Sequence, residues 1–178
     1  SYEKISIYID QFIRKKKKPK KLNLASYQQI HIKNLVRPKI YVTYGQSNSG
    51  NYGQYGYRIK NKVYMFFNGK IYSYQDPSLG AEGNDGSVWG RVGDEIIEEG
   101  LSKEVLFANT GTSSATIKEL SYGKNFKKFK DVLVSLKTNF GSIDGILIQQ
   151  GEGNHFEQKG SKHYKKEFLI FQKKIRKY

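Results

Sequence analysis

Lys39-Ile40-Tyr41-Val42-Thr43-Tyr44, running straight into Gly45-Gln46-Ser47-Asn48-Ser49-Gly50, is the stretch that decides the fold of this chain. Its first six residues are β-branched and aromatic, the composition of a strand. Gly45 ends that run, and residues 45–57 turn rich in Gly, Ser, Asn, Gln and Tyr. A segment this short is not a low-complexity tract. Following directly on a buried-type strand, it reads as a functional loop at the strand's C-terminal end.

Two further runs repeat the arrangement. Val105-Leu106-Phe107-Ala108 is a short buried strand, and Asn109-Thr110-Gly111-Thr112-Ser113 follows it. Ile143 to Ile148, broken only by Asp144-Gly145, is another, and it runs into Gln149-Gln150-Gly151-Glu152-Gly153-Asn154. Helical spacing lies between and beyond them. Residues 87–100 place Val88, Val92, Ile96 and Ile97 on one side and stop at Gly100. Residues 121–138 do the same with Phe126, Phe129, Val132, Leu133 and Leu136, and residues 160–177 with Tyr164, Phe168, Leu169, Phe171 and Ile175. Val63–Phe67 and Lys70–Tyr74 flank Asn68-Gly69, a strong hairpin signal. Residues 22–37 form a connector with weak strand character around Ile30 and Ile32, and residues 3–13 suit a short helix or a strand. Strands alternating with helices imply βαβ units and a mainly parallel sheet covered by helices.

Composition narrows the function classes. The 178 residues suit one domain with a real core, expected to be an α/β domain over 39–178 preceded by a basic extension over 1–38. With no Cys, disulfides, thiolate catalysis and Cys-ligated metals are excluded. No apolar run is long enough to span a membrane. The chain starts at Ser1, so removal of a leader, tag or longer N-terminal region is expected. The net charge of +15 suggests nucleic acid at first sight, but the excess sits in residues 14–21 and 159–177 and the middle is near neutral. Such blocks are most often solvated faces; they are also able to meet an anionic surface.

Each loop taken singly is ordinary. A Ser among Gly and Asn is usually turn chemistry, although one just past a strand also presents its hydroxyl from a tight turn. Gly111 permits close backbone approach, and its N–H is of the kind that meets an oxyanion. Gln150 offers a side-chain amide for the same purpose.

Together the three loops resemble the sialate O-acetylesterase and acetylxylan-esterase branch of the Ser-Gly-Asn-His (SGNH) hydrolases. Gly45-Gln46-Ser47-Asn48 is similar to that branch's opening motif and Gln150-Gly151-Glu152 to its later one. Asp76-Pro77, Gly86-Ser87-Val88-Trp89, Gly93-Asp94 and Glu98-Glu99-Gly100 fall between them in the family's order, so the likeness extends over about 39–178. The resemblance implies a three-layer α/β/α fold with a flavodoxin-like sheet, here without its last strand and helix. It implies a carbohydrate O-acetylesterase with Ser47 as nucleophile. The N–H groups of Ser47 and Gly111 and the Gln150 amide would hold the oxyanion. Asn48, Glu152 and Asn154 would support the loop and substrate. The substrate would be an acetylated carbohydrate, with no cofactor or metal, acting outside the cytoplasm. Two departures touch the pocket's shape: Thr110 stands where a second Gly is usual, and Gly153-Asn154 where Ser and Asp are.

A serine needs a base, and the family carries it in a C-terminal Asp-x-x-His that this chain lacks. Only His31, His155 and His163 are present. His155, in Glu152-Gly153-Asn154-His155, is the one candidate, and an exposed loop histidine is its more common reading. The expectations are therefore an esterase completed by a further segment or second chain, an inactive glycan-binding or interaction module of the same fold, or an anionic-surface or nucleic-acid binder using the basic ends.

Overall fold

The computed structural model describes residues 22–155 and 159–178. The expected element at 3–13 and the lysine run at 14–21 lie outside the described residues. In chain order the elements are β1 (Gln29–Ile30), β2 (Lys39–Gly45), β3 (Val63–Phe67), β4 (Lys70–Ser73), α1 (Trp89–Glu98), β5 (Val105–Asn109), α2 (Ile117–Ser121), α3 (Gly123–Phe140), β6 (Gly145–Gln149), α4 (Glu152–His155) and α5 (Gly160–Ile175).

The six strands form one sheet in the order β1-β4-β3-β5-β2-β6. β2 lies between β5 and β6 and is parallel to both, with Val42 opposite Ala108 on one side and Ile146 on the other. β3 adds in parallel to β5, and the hairpin β3–β4 and strand β1 extend the sheet antiparallel. Asn68 and Gly69 both have positive φ (49° and 74°), the geometry a two-residue hairpin turn demands.

Side chains alternate across this sheet with the period of two that strands impose. Ile40, Val42, Tyr44, Leu106 and Ala108 face Ile117, Leu120, Phe129, Leu133, Leu136 and Phe171 of α2, α3 and α5. Val105 and Phe107 face the other way, onto Trp89 with Val92, Ile96 and Ile97 of α1. The molecule is thus a mixed α/β, three-layer α/β/α fold with a mostly parallel sheet. Tyr44 anchors the first layer: its ring stacks on Phe129 at 4.5 Å, and its hydroxyl donates to Leu120 O at 2.6 Å. Among the described residues no helix is long and apolar enough to cross a membrane.

Three local readings differ from the sequence pattern. Residues 22–38 do not stand apart from the domain: Tyr27 is buried in the α1-side core, and β1 pairs with β4. Ile32 belongs to a 3₁₀ turn rather than a strand, because the His31 ring accepts from Lys33 N and caps it. β6 starts at Gly145, not Ile143, because Asp144 first ties itself to the start of β2. Its carboxylate accepts from Ile40 N at 2.8 Å and Lys39 Nζ at 2.7 Å.

The connections place the site. From β2 the chain goes to β5 through the hairpin and α1, then through α2 and α3 to β6 on β2's opposite side. Chain order therefore reverses at β2, and in open α/β sheets ligands bind in the crevice at the carboxyl ends of strands where this happens. The expected loops at Gly45, Asn109 and Gln150 are the three that leave these carboxyl ends.

Candidate active site

Ser47 opens a single 3₁₀ turn, Ser47–Ser49, closed by Ser49 N donating to Gln46 O (2.9 Å) and Gly50 N to Ser47 O (2.8 Å). Ser47 is half-buried, whereas Gln46, Ser49 and Gly50 around it are buried. The turn begins abruptly because Gly45 has φ +146° and passes close to β6. A Cβ there would lie 1.9 Å from Gln149 O. The sequence needs glycine at that point on both counts.

The second loop is stitched to the first strand. Thr110 donates to Thr43 O through both its N–H (3.0 Å) and its hydroxyl (2.7 Å), and Thr112 N donates to Gly45 O at 2.9 Å. The Thr110 side chain is thus spent on the sheet. Between them Gly111 packs against the serine turn, and a Cβ on it would sit 2.5 Å from Ser49 O and 2.8 Å from Gly50 N. Among the described residues the N–H groups of Ser47 and Gly111 donate to no acceptor. Two backbone donors are thus left unspent on loops in direct contact.

The third loop hangs on Gln46. Its buried Oε1 accepts from Gly153 N (2.9 Å), Gly151 N (3.3 Å) and Gln150 Nε2 (3.4 Å). Gly153 suits this, since a Cβ would be 3.1 Å from Ala115 O and 3.3 Å from Gln46 Oε1. Gln150 Nε2 also donates to Asn154 Oδ1 (2.6 Å) and Ala115 O (3.2 Å). Asn154 Oδ1 in turn accepts from Ile117 N at 2.8 Å, which joins the loop to the start of α2. Glu152 Oε1 accepts from Asn48 Nδ2 (2.6 Å) and Gln149 Nε2 (2.8 Å). Partial burial pushes the Glu152 carboxyl up, but its own backbone N–H and these two amides outweigh it and hold it below the usual glutamate range. It is a carboxylate bracing Asn48, the neighbour of Ser47. Gln46 is the organiser that motif reading passed over; its position between Gly45 and Ser47 was the available signal.

Ser47, Asn48, Gly111, Gln150, Glu152 and Asn154 therefore belong to one interlocked set of loops. His155 is exposed at the end of the one-turn helix α4. His31 is an exposed turn cap, and His163 sits half-buried in the first turn of α5. No described side chain hydrogen-bonds to the Ser47 hydroxyl. Among the described residues no group of three His, Cys, Asp or Glu is placed to hold a metal ion. Among them, too, the buried side-chain polar atoms without a partner are Ser49 Oγ, Asn109 Nδ2, Gln149 Oε1 and Gln150 Oε1. All four belong to these loops or the strand ends they leave. The described buried polar atoms left without a protein partner are thus gathered at these strand ends.

No protein-family model matches the chain, and no curated protein matches it either. Among solved structures, the X-ray structure of a protein from Arabidopsis thaliana is similar, with a TM-score of 0.60 at 13% sequence identity. The likeness covers 78% of this chain and 67% of that one. At that identity it shows the fold alone.

Proposed function

We propose that this chain is a carbohydrate O-acetylesterase in which Ser47 is the nucleophile. The observation that carries the reading is the packing of Gly111 on the Ser47 turn, with both N–H groups unspent. In the reaction Ser47 Oγ bonds to the acetyl carbonyl carbon and its proton passes to a base. The carbonyl oxygen gains negative charge and is met by the N–H groups of Ser47 and Gly111. The sugar oxygen leaves with a proton, and water then releases acetate from the acetyl-serine. Gln150 serves this oxyanion only by letting go of one of its present acceptors, so the two backbone groups are the principal donors. Glu152 and Asn154 act through positioning: one holds Asn48, the other holds Gln150. An extracytoplasmic place of action goes with this substrate class.

A second reading is a glycan-binding module with the same pocket and no turnover. It is favoured by one observation, that no described histidine or carboxylate bonds to the Ser47 hydroxyl. Hydrolysis of p-nitrophenyl acetate by the parent, Ser47→Ala and His155→Ala separates the two. The esterase reading predicts that Ser47→Ala lowers turnover by about 10³-fold or more. Retention of activity in His155→Ala places the base elsewhere, and its loss makes His155 the base. A parent no faster than Ser47→Ala overturns the esterase reading in favour of the binding module.

A further inference from the structure

Directly after the Ser47 turn, Tyr52 and Tyr55 stand out of the surface, 46% and 77% exposed. Among the described residues neither ring pairs with another aromatic, and neither hydroxyl forms a hydrogen bond. Exposed tyrosines on a loose loop would mean little. This loop is not loose. Asn51 N donates to Glu82 O (2.8 Å), Asp85 N to Asn51 O (3.1 Å), Gly53 N to Gly86 O (2.8 Å) and Gly86 N to Gly53 O (3.0 Å). These bonds make a short ladder between residues 51–53 and 83–86. Glycines let the two segments touch: a Cβ on Gly83 would lie 2.2 Å from Asn51 O, and one on Gly86 1.9 Å from Tyr55 O. Buried Asn51 fastens the ladder underneath, donating to Ser78 O and accepting from Ser78 N and Oγ.

The ladder also fixes where the Tyr52 ring is. The Cβ position of Gly50 is 3.2 Å from Ser47 O on one side and 3.4 Å from Tyr52 Cδ2 on another. The Tyr52 ring therefore lies one residue's width from the backbone of the nucleophile, with its Cε2 3.0 Å from the Cβ position of Gly83. Tyr55 follows on the same pinned segment.

Charge selects the partner. Residues 40–57 contain no Asp, Glu, Lys or Arg, in a chain whose net charge is +15. The facing segment, residues 81–86, adds only Glu82 and Asp85. These two segments contribute acids and no cation of their own. Two described cations beside them are engaged, Arg91 over the Tyr57 ring at 4.8 Å and Lys128 with Glu82, which disfavours nucleic acid and acidic glycans. A rigid tyrosine offers a large amphipathic face at low entropic cost, and its negative π-face suits the aligned C–H groups of a pyranose ring.

We infer that Tyr52 and Tyr55 form an aromatic rim that stacks on the neutral sugar residues flanking the reacting one, making the ligand an uncharged polysaccharide rather than a free acetylated monosaccharide. This rests on the esterase reading for its orientation, but its test does not depend on turnover. Binding is measured by affinity electrophoresis in gels holding acetylated xylan, acetylated glucomannan or polyuridylate. The proteins are the full chain, Ser47→Ala, Tyr55→Ala, Tyr52→Ala/Tyr55→Ala and Tyr52→Phe/Tyr55→Phe. The rim predicts retardation by at least one neutral polymer. It predicts a dissociation constant about tenfold higher in the double alanine variant, with a smaller rise in Tyr55→Ala. The phenylalanine variant keeps its rings and stays within about twofold of the parent. Ser47→Ala binds as the parent does, so failure of the esterase reading leaves this result standing. The inference is overturned if neither neutral polymer retards the parent, or if the alanine variants bind unchanged. It is also overturned if the phenylalanine variant loses as much as the alanine one, or if polyuridylate is the polymer whose binding the tyrosines control.

Discussion

At the scale of single residues, the site is governed by where a side chain is forbidden. Gly111→Ala would set a methyl group 2.5 Å from a backbone carbonyl oxygen that cannot swing aside. The serine turn has to move, and with it the pairing of the two proposed oxyanion donors. Turnover is predicted to fall about 10²-fold, the usual effect of spoiling one donor. Steady-state kinetics on p-nitrophenyl acetate checks this. Gly45→Ala is harsher, because its Cβ would meet Gln149 O at 1.9 Å and its φ of +146° is strained for any side chain. Soluble yield and circular dichroism should show a chain that does not reach the native fold. Glu152 supplies a pH test. Its folded pKa lies below its ordinary value of 4.5, so its bonds to Asn48 and Gln149 contribute stability in full above that value. The contribution is lost as pH falls through the lower, folded pKa. The gap in thermal midpoint between the parent and Glu152→Gln should shrink between about pH 6 and about pH 3. The fold brings together the loops of the proposed site residues Ser47, Gly111 and Gln150, which were picked out by the resemblance of those loops to a known motif order. Gln46 was not, since only the fold shows that one amide oxygen holds the third loop through three donors.

At the scale of elements, β2 and α3 carry the architecture through one aromatic contact, the 4.5 Å stack of Tyr44 on Phe129. Phe129 is fully buried, and Phe171 also meets Tyr44 at 5.7 Å. Phe129→Ala should destabilise the domain by about 3–5 kcal/mol, measured by urea unfolding. The three longer helices, α1, α3 and α5, were readable because their apolar residues recur at 3.6-residue spacing. By contrast α2 and α4, of five and four residues, are too short for a period to register. Gly100 and Gly141 follow α1 and α3, both at positive φ (72° and 81°). Short pieces were less readable. Ile30 and Ile32 carry the same strand-like signal, yet one pairs with Ile71 and the other enters a 3₁₀ turn. The difference is a local cap by His31, and a two-residue strand has too few residues for a period to register.

At the scale of the whole molecule, the two faces of the sheet differ in charge. α3 and α5 each carry five lysines and one acid, whereas α1 on the opposite face carries Arg91 against Asp94, Glu95 and Glu98. A net charge of +15 in 178 residues repels itself, and salt screens that repulsion. The thermal midpoint should therefore rise between about 10 mM and about 200 mM sodium chloride; a fall would mean that attractive ion pairs dominate. The charge total was plain in the sequence, but its division between faces needed the topology that sends α1 one way and α3 the other. The same topology brings three separate loops to the carboxyl ends of β2, β5 and β6, and the central claim is that they make Ser47 a nucleophile. The most direct test is to treat the folded chain with a fluorophosphonate probe and locate the adduct by peptide mass spectrometry. The account predicts a single phosphonylated peptide carrying Ser47, absent from Ser47→Ala and from heat-unfolded protein. A chain that takes up no probe when folded, or takes it up at another residue, contradicts it.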